Sequence, residues 1–407
     1  MTSSAAVVER TYREHRARML AALVRVLGDF ELAEEGLQEA CALALRRWST
    51  TVPDDPVAWL LTVARNNAID RLRRARTGRE KHALAGARQE VVTAMPSQES
   101  LAEAGDERLS LIFACCHPAL AEPARVALTL QAVAGLTAGQ IARMFLVGEQ
   151  TLAQRLVRAK RKIRDAGIRL AVPADHLLPE RLSGVLSVVY LIFTQGYTTG
   201  DPGPREEAIR LGRLVATLIP GEPEVLGLVA LLLLHDSRAD ARYTATGDVV
   251  LLEDQDRSRW NRAEIAEAVG LLDRALRRSR PGPYQVQAAI AALHAQAATA
   301  AETDWQAIAA LYGELLGMTP SPVVALNHAV AVAMANGPAE GLALIDRIDG
   351  LDRYHLLHSA RADLLRRTGR LDEAAAAYRR AHELATTAAD RRFLARRLYT
   401  LDRDEPR

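Results

Sequence analysis

Apolar and polar positions follow a helical period along almost the whole chain. "VVERTYREHRARMLAALVRVL", "DFELAEEGLQEACALALRRW" and "VAWLLTVARNNAIDRLRRAR" each carry an apolar stripe, predicting three amphipathic helices within residues 7–76. "STTVPDDP" interrupts the last two as a loop. From Thr77 to Gly105 the period weakens and small polar residues dominate, which marks a linker over 77–105. Helical spacing returns over 106–170. "ERLSLIFACCHPAL" is one helix, and "EPARVALTLQAVAG" is another that ends with Gly135 at its C-terminal cap. "LTAGQIARMF" and "GEQTLAQRLVRAKRKIR" then lie about three residues apart, the layout of a helix-turn-helix.

Beyond Pro173 the chain remains helical, with breaks at "GDPGP", "IPGEP", "SRPGP" and "NGP". In "HLLHSARADLLRRTGRLDEAAAAYRRAHEL", Ala362, Gly369, Ala374, Tyr378 and Ala381 have the small-and-aromatic spacing of a tetratricopeptide helix pair. Looser copies around Ala307 and Gly341 give steps close to the roughly 34 residues of that repeat. The expected architecture is all-α: helical domains at 1–76 and 106–170, a connecting helical domain at 171–280 and TPR-like repeats at 281–407. Repeats of this kind bind a protein or peptide partner on a curved surface.

Composition agrees with helix: aromatics are 4% of residues, and Ala and Leu abound. Three cysteines, Cys41, Cys115 and Cys116, make no disulfide framework, so a reducing cytoplasm is expected. The N-terminus shows no signal-peptide core, and no apolar run reaches the roughly 18 residues of a membrane helix. "VLGLVALLLL" is about half that length and reads as a buried helix. The net charge of +2 conceals an asymmetry. Residues 1–170 carry 25 Lys and Arg against 19 Asp and Glu, and the remainder 27 against 31, so a positive half precedes an acidic one. That division suits a nucleic-acid reader joined to a second module.

The second helix of the helix-turn-helix is the most specific chemistry in the chain. Leu152, Leu156, Ala159 and Ile163 form its buried stripe. Its other face presents Gln150, Thr151, Gln154, Arg155 and Arg158, then Lys160, Arg161, Lys162 and Arg164. Gln and Arg make paired hydrogen bonds to adenine and guanine edges in the major groove, and the later basic residues suit phosphates.

"AEEGLQEACALALRRW", the loop, "AWLLTVARNNAIDRLRR" and "GLTAGQIARMFLVGEQTLAQRLVRAKRKIR" together resemble bacterial RNA polymerase sigma factors of the extracytoplasmic-function type. The resemblance covers about residues 7–168, and the long extension, with "LLLLHDSRADAR" and "LLEDQDRSRW", is similar to the subgroup with tetratricopeptide-like C-terminal domains. It implies that Glu34, Glu35, Leu37, Gln38 and Glu39 dock on the clamp helices of core RNA polymerase, whose flap would meet the second domain. It also implies that Trp59, Arg65, Asn66, Asp70, Arg71, Arg73 and Arg74 melt and capture the −10 promoter element, with Asn66 touching a base. The −35 element falls to Gln150, Thr151, Gln154, Arg155, Arg158, Lys160, Arg161 and Lys162. Two positions depart from the family: Leu146 stands where a turn glycine is common, with Gly148 two residues later, and Gly36 interrupts a helix. The expected function is promoter-specific initiation, with the extension regulating in cis and catalysis left to polymerase. The alternative is a conventional helix-turn-helix regulator with a TPR-type sensor domain, which has no use for the Trp59–Arg74 helix.

Other motifs yield to plainer readings. "CCHP" lacks a CxxC pair for zinc and reads as buried small hydrophobes, so neither a metal nor another cofactor is expected. Consecutive His235, Asp236 and Ser237 cannot form a hydrolase triad, and no nucleophile elbow or phosphate-binding loop occurs. Glu253, Asp254 and Asp256 read as partners of Arg257 and Arg259 in a structural knot with Trp260, joining the N-terminal portion to the repeats.

Overall fold

Ala- and Leu-rich runs with few β-branched clusters favour helix throughout. In the computed structural model the described residues contain no strand, only an isolated bridge between Tyr243 and Val249. The structure describes residues 4–48, 51–80, 104–145, 147–244, 246–385 and 387–404, with side chains for all of these except 4, 72–80, 104–106 and 402–404. Leu146, Ser49, Thr50 and most of the expected linker lie outside the described residues. The chain divides into two compact units, Met1–Leu218 and Ile219–Arg407.

The N-terminal unit begins with α1 (Ser4–Leu27), α2 (Phe30–Arg47) and α3 (Pro56–Glu80), which pack against one another. The Asp29 side chain caps α2, accepting from the Glu31 and Leu32 amides at 2.8 and 3.2 Å. Gly36 has a reason to interrupt α2: a Cβ there would lie 2.6 Å from the backbone oxygen of Ala64 on α3. The helices cross where only glycine fits. Gly36→Ala is expected to lower the stability of this unit by about 1–2 kcal/mol, because overpacking of about 1–3 kcal/mol outweighs the gain in helix propensity. Thermal unfolding of the variant checks this, and an unchanged midpoint would mean that the crossing opens without cost.

Next come α4 (Ala104–Cys115), α5 (Glu122–Ala132), α6 (Ala138–Met144) and α7 (Glu149–Asp165). Gly135, at φ +80°, takes the left-handed conformation after α5 and lets the Leu136 amide return to the Leu130 carbonyl at 3.0 Å. Helices α8 (Leu178–Thr199) and α9 (Pro202–Leu218) pack on each other; α8 also packs on α4 and α5, and α9 on α4.

In the C-terminal unit, α10 (Pro223–Asp236) holds the "VLGLVALLLL" run and is buried along almost its whole length between α11 (Arg262–Leu276) and α12 (Pro283–Gln296). The expected knot lies wholly within this unit. Arg257 stacks over the Trp260 ring at 4.6 Å and donates to the His294 and Ala297 carbonyls, while the Asn261 amide reaches the Ser237 carbonyl. The segment therefore ties the ends of α10 and α12 together. The remaining helices are α13 (Trp305–Met318), α14 (Pro322–Asn336), α15 (Pro338–Ile345), α16 (His355–Arg367), α17 (Leu371–Leu384) and α18 (Ala388–Asp404). Trp305, Pro338 and Leu371 begin helices 33 residues apart, and Pro322, His355 and Ala388 begin the alternating helices at the same interval. The repeat is TPR-like, and α16 and α17 form the pair expected at 355–384, with Ala362, Ala374, Tyr378 and Ala381 buried between them.

Candidate nucleic-acid interface

On α3 the Asp55 carboxylate accepts from the Ala58 amide at 2.9 Å, and Pro56 starts the helix where its missing N–H costs nothing. Trp59, Asn66 and Asp70 recur at seven and four residues, so they share one face; Asn66 and Asp70 are exposed and Trp59 is half-buried. Trp59 meets Trp48 edge-on at 5.4 Å. Around this pair Arg46, Arg47, Thr51 and Pro53 complete an open cleft of about 540 Å³. The Trp48 ring is buried and its Nε1–H has no hydrogen-bond partner. A cleft with two indoles and two guanidinium groups suits an unstacked base and its phosphate. Arg65 is half-buried beside this face. Arg73 and Arg74 lie on α3, but their side chains fall outside the described residues. Trp48, Arg46 and Arg47 were not among the expected residues.

The acidic face of α2 is divided. Glu35, Gln38 and Glu39 are exposed, and Arg71 pairs with Glu35 and lies 3.7 Å from Glu39. Leu37 is only 2% exposed and belongs to the core of the three-helix unit, so it offers no surface to a partner. Glu34 is drawn away from its neighbours into a partly buried ion cluster described below.

The helix-turn-helix is built as its sequence suggests. Thr137 and Gln140 form a reciprocal capping box at the start of α6, with bonds of 2.8 and 3.2 Å. Gly148 begins α7 with extended backbone at φ −64°, so the turn does not use it in a left-handed conformation. Leu152, Leu156, Ala159 and Ile163 are buried as one stripe. Gln150, Thr151, Gln154, Arg158, Arg161 and Lys162 are exposed, and Arg155 is half-buried. Lys160 differs. It is 8% exposed, and its Nζ lies 2.5 Å from Glu34 Oε2.

That pair joins α7 to α2, and it has company. Arg16 on α1 reaches Glu34 Oε1 at 3.4 Å and donates to the Gln131 and Ala132 carbonyls at the end of α5, at 2.6 and 3.0 Å. Arg164 donates to Asp29 at 3.1 Å, and Arg25 pairs with buried Glu107 at 2.8 Å. Half-buried Glu34 lies between two cations and buried Lys160 against a carboxylate, which satisfies charges that would otherwise be costly to remove from water. The result is a closed arrangement in which the α1–α3 bundle sits on the helix-turn-helix domain. Helix α8 braces that domain: Arg181 donates to the Phe113 carbonyl at 2.8 Å, and Gln195 donates to the Met144 carbonyl, just ahead of the turn into α7, at 3.0 Å.

Cys115 and Cys116 are buried, and burial raises both thiols, Cys116 to about 11. They fill core space.

Comparison with known proteins places these elements. The Sigma-70 region 2 family matches residues 11–77, Sigma-70 region 4 matches residues 110–163, and a family of unknown function, DUF6596, matches residues 181–276. An ECF RNA polymerase sigma factor, SigK of Mycobacterium bovis, is 31% identical over 156 residues, covering 38% of this chain and 82% of that protein. The chain belongs to the ECF RNA polymerase sigma factors. The probable ECF sigma factor SigI of Mycobacterium tuberculosis is 27% identical over 249 residues, 54% of this chain and 84% of that protein. An uncharacterized protein of Rhizobium meliloti, R00370, is 44% identical over 408 residues and spans 94% of this sigma factor and 93% of its own length. Among solved structures, yeast Tom70 shares a loose likeness, with a TM-score of 0.38 and 12% identity over 98% of this chain and 84% of that one. Core RNA polymerase and promoter DNA are the partners that the two sigma regions imply. Among the described residues no helix is long and apolar enough to cross a membrane.

Proposed function

We propose that this sigma factor docks on polymerase through Glu35, Gln38 and Glu39, captures −10 bases in the Trp48–Trp59 cleft beside Asn66, and reads the −35 element with the exposed face of α7. Arg71, Arg73 and Arg74 follow the unwound strand, and the site is cytoplasmic. The extension regulates in cis: α8 braces region 4 while regions 2 and 4 lie closed, and a protein or peptide on the TPR-like surface would be the signal that changes this. The observation that carries the reading is the Glu34–Lys160 pair. It places one residue expected at polymerase and one expected at DNA against each other, so neither can act until the regions separate. Catalysis is assigned to polymerase in this reading.

The test is run-off transcription by the full chain with core polymerase on a promoter obtained by in vitro selection. Arg155→Ala is expected to weaken −35 discrimination by about 1–3 kcal/mol. Asn66→Ala is expected to impair strand opening, read by reactivity of unpaired thymines, while leaving duplex binding near the parent value. Equal loss of both steps would remove base capture from Asn66.

A further inference from the structure

We propose that Val157 determines specificity by packing against the 5-methyl group of a thymine in the −35 element. The inference rests on α7 entering the major groove. On that helix Gln150, Gln154, Val157 and Arg161 follow one another at steps of four, three and four, directly opposite the buried stripe of Leu152, Leu156, Ala159 and Ile163. Every other residue of that outward stripe is polar or charged. Val157 is 42% exposed and is the one large apolar side chain that α7 leaves exposed among its described residues.

Isolated apolar residues on a surface are common, so position and type must carry the argument. A β-branched residue on the solvent face of a helix costs side-chain freedom and contributes no burial in the free protein. Here it lies at the centre of the surface that meets the base edges, one turn beyond Gln154. The floor of the major groove has a single apolar feature, the thymine methyl, and otherwise presents hydrogen-bond donors and acceptors. A valine at that place therefore complements thymine, leaves a cytosine N4 donor without a partner, and itself loses its contact when uracil replaces thymine. Gln154, one turn earlier, has the donor and acceptor that match adenine. The two together select neighbouring A·T pairs, with the thymine methyl of one turned towards Val157.

The experiment measures binding of the full chain with core polymerase to selected promoter duplexes in which each −35 thymine is replaced singly by deoxyuridine. At one position the parent protein is expected to lose about fourfold in affinity, the value of one buried methyl group, and Val157→Ala is expected to lose that preference while binding both duplexes alike. Val157→Ala trims a side chain that is 42% exposed and lies outside the buried stripe, and it raises helix propensity, so the fold is retained. If the parent tolerates uracil at every position, or if Val157→Ala keeps the full penalty, the assignment of Val157 is overturned. Gln154→Ala and Arg158→Ala separate that failure from failure of the underlying reading. If they lose −35 discrimination, α7 still reads DNA and only Val157 was misassigned; if they bind every substituted element as the parent does, α7 is not the reading helix and the inference falls with it.

Discussion

Arg16→Ala is expected to shift the closed N-terminal unit towards the open state by roughly 100-fold. The Arg16 guanidinium holds the Gln131 and Ala132 carbonyls at the end of α5 and also reaches Glu34. A cation is favoured at a helix C-terminus, where the last carbonyls have no partner within the helix. Taking about 1.5 kcal/mol for each charge-assisted bond to a carbonyl gives about 3 kcal/mol, which corresponds to a hundredfold change in equilibrium. Glu34 would keep only Lys160, whose grip weakens once water enters. Arg16 is itself expected to touch neither polymerase nor DNA, so its loss changes the closure without removing a contact. The checks are the distance between labels on α2 and α7, and binding of the full chain to a −35 duplex without polymerase. Both should rise, and binding should become more salt-dependent as Lys160 and Arg164 become free to meet phosphates. Lys160→Met is the control, since it also loosens the closure but forfeits a phosphate contact. Unchanged label distance and unchanged DNA affinity in Arg16→Ala would remove the closed arrangement as a regulator.

Helix positions and the helix-turn-helix were legible because each rests on local spacing. Phe30, Ala33, Leu37, Ala40 and Ala44 recur at three and four residues, and all are buried. That same spacing puts Leu37 in the core, and only the family resemblance suggested otherwise. Two Trp residues flanking a Pro- and Asp-rich loop signal a cleft, yet Trp59 alone was assigned there, because Trp48 ends the preceding helix and its pattern gives no direction past that end. The Glu34–Lys160 pair lies beyond what periodicity can supply. Periodicity states which face of a helix is polar; it does not state which other helix, 126 residues away, will cover that face. Lys160 follows Ala159 at the edge of the buried stripe, a position where a long side chain can be turned either to water or to a partner. The 33-residue step of the repeats was visible to within one residue, since small residues recur where helices must approach closely.

Tyr378→Ala is expected to cost the C-terminal unit about 3–5 kcal/mol, the range for truncating a buried large aromatic side chain. Tyr378 is among the largest fully buried side chains and packs in a cluster with Leu326, Ala362, Leu365 and Leu394. Burial raises its phenol, whose oxygen is bonded by Arg366, a side chain also held by Asp363 at 2.9 Å. Tyr378→Phe keeps the ring, leaves Arg366 with Asp363 and should cost only about 1 kcal/mol. With two compact units, calorimetry should resolve two transitions, and the one from the C-terminal unit should fall by roughly 6–20 °C in Tyr378→Ala, at about 2–4 °C per kcal/mol for a unit of this size. Arg16, Glu34, Lys160, Arg181 and Gln195 all precede Leu218, so the other transition should stay in place. This separation bears on regulation. If α8 is enough to keep regions 2 and 4 closed, −35 duplex binding without polymerase stays low even at a temperature where the Tyr378→Ala repeats have melted. If affinity climbs as the repeats melt, the closure depends on them, and a partner bound to the TPR-like surface gains a direct means of controlling the promoter-reading helix.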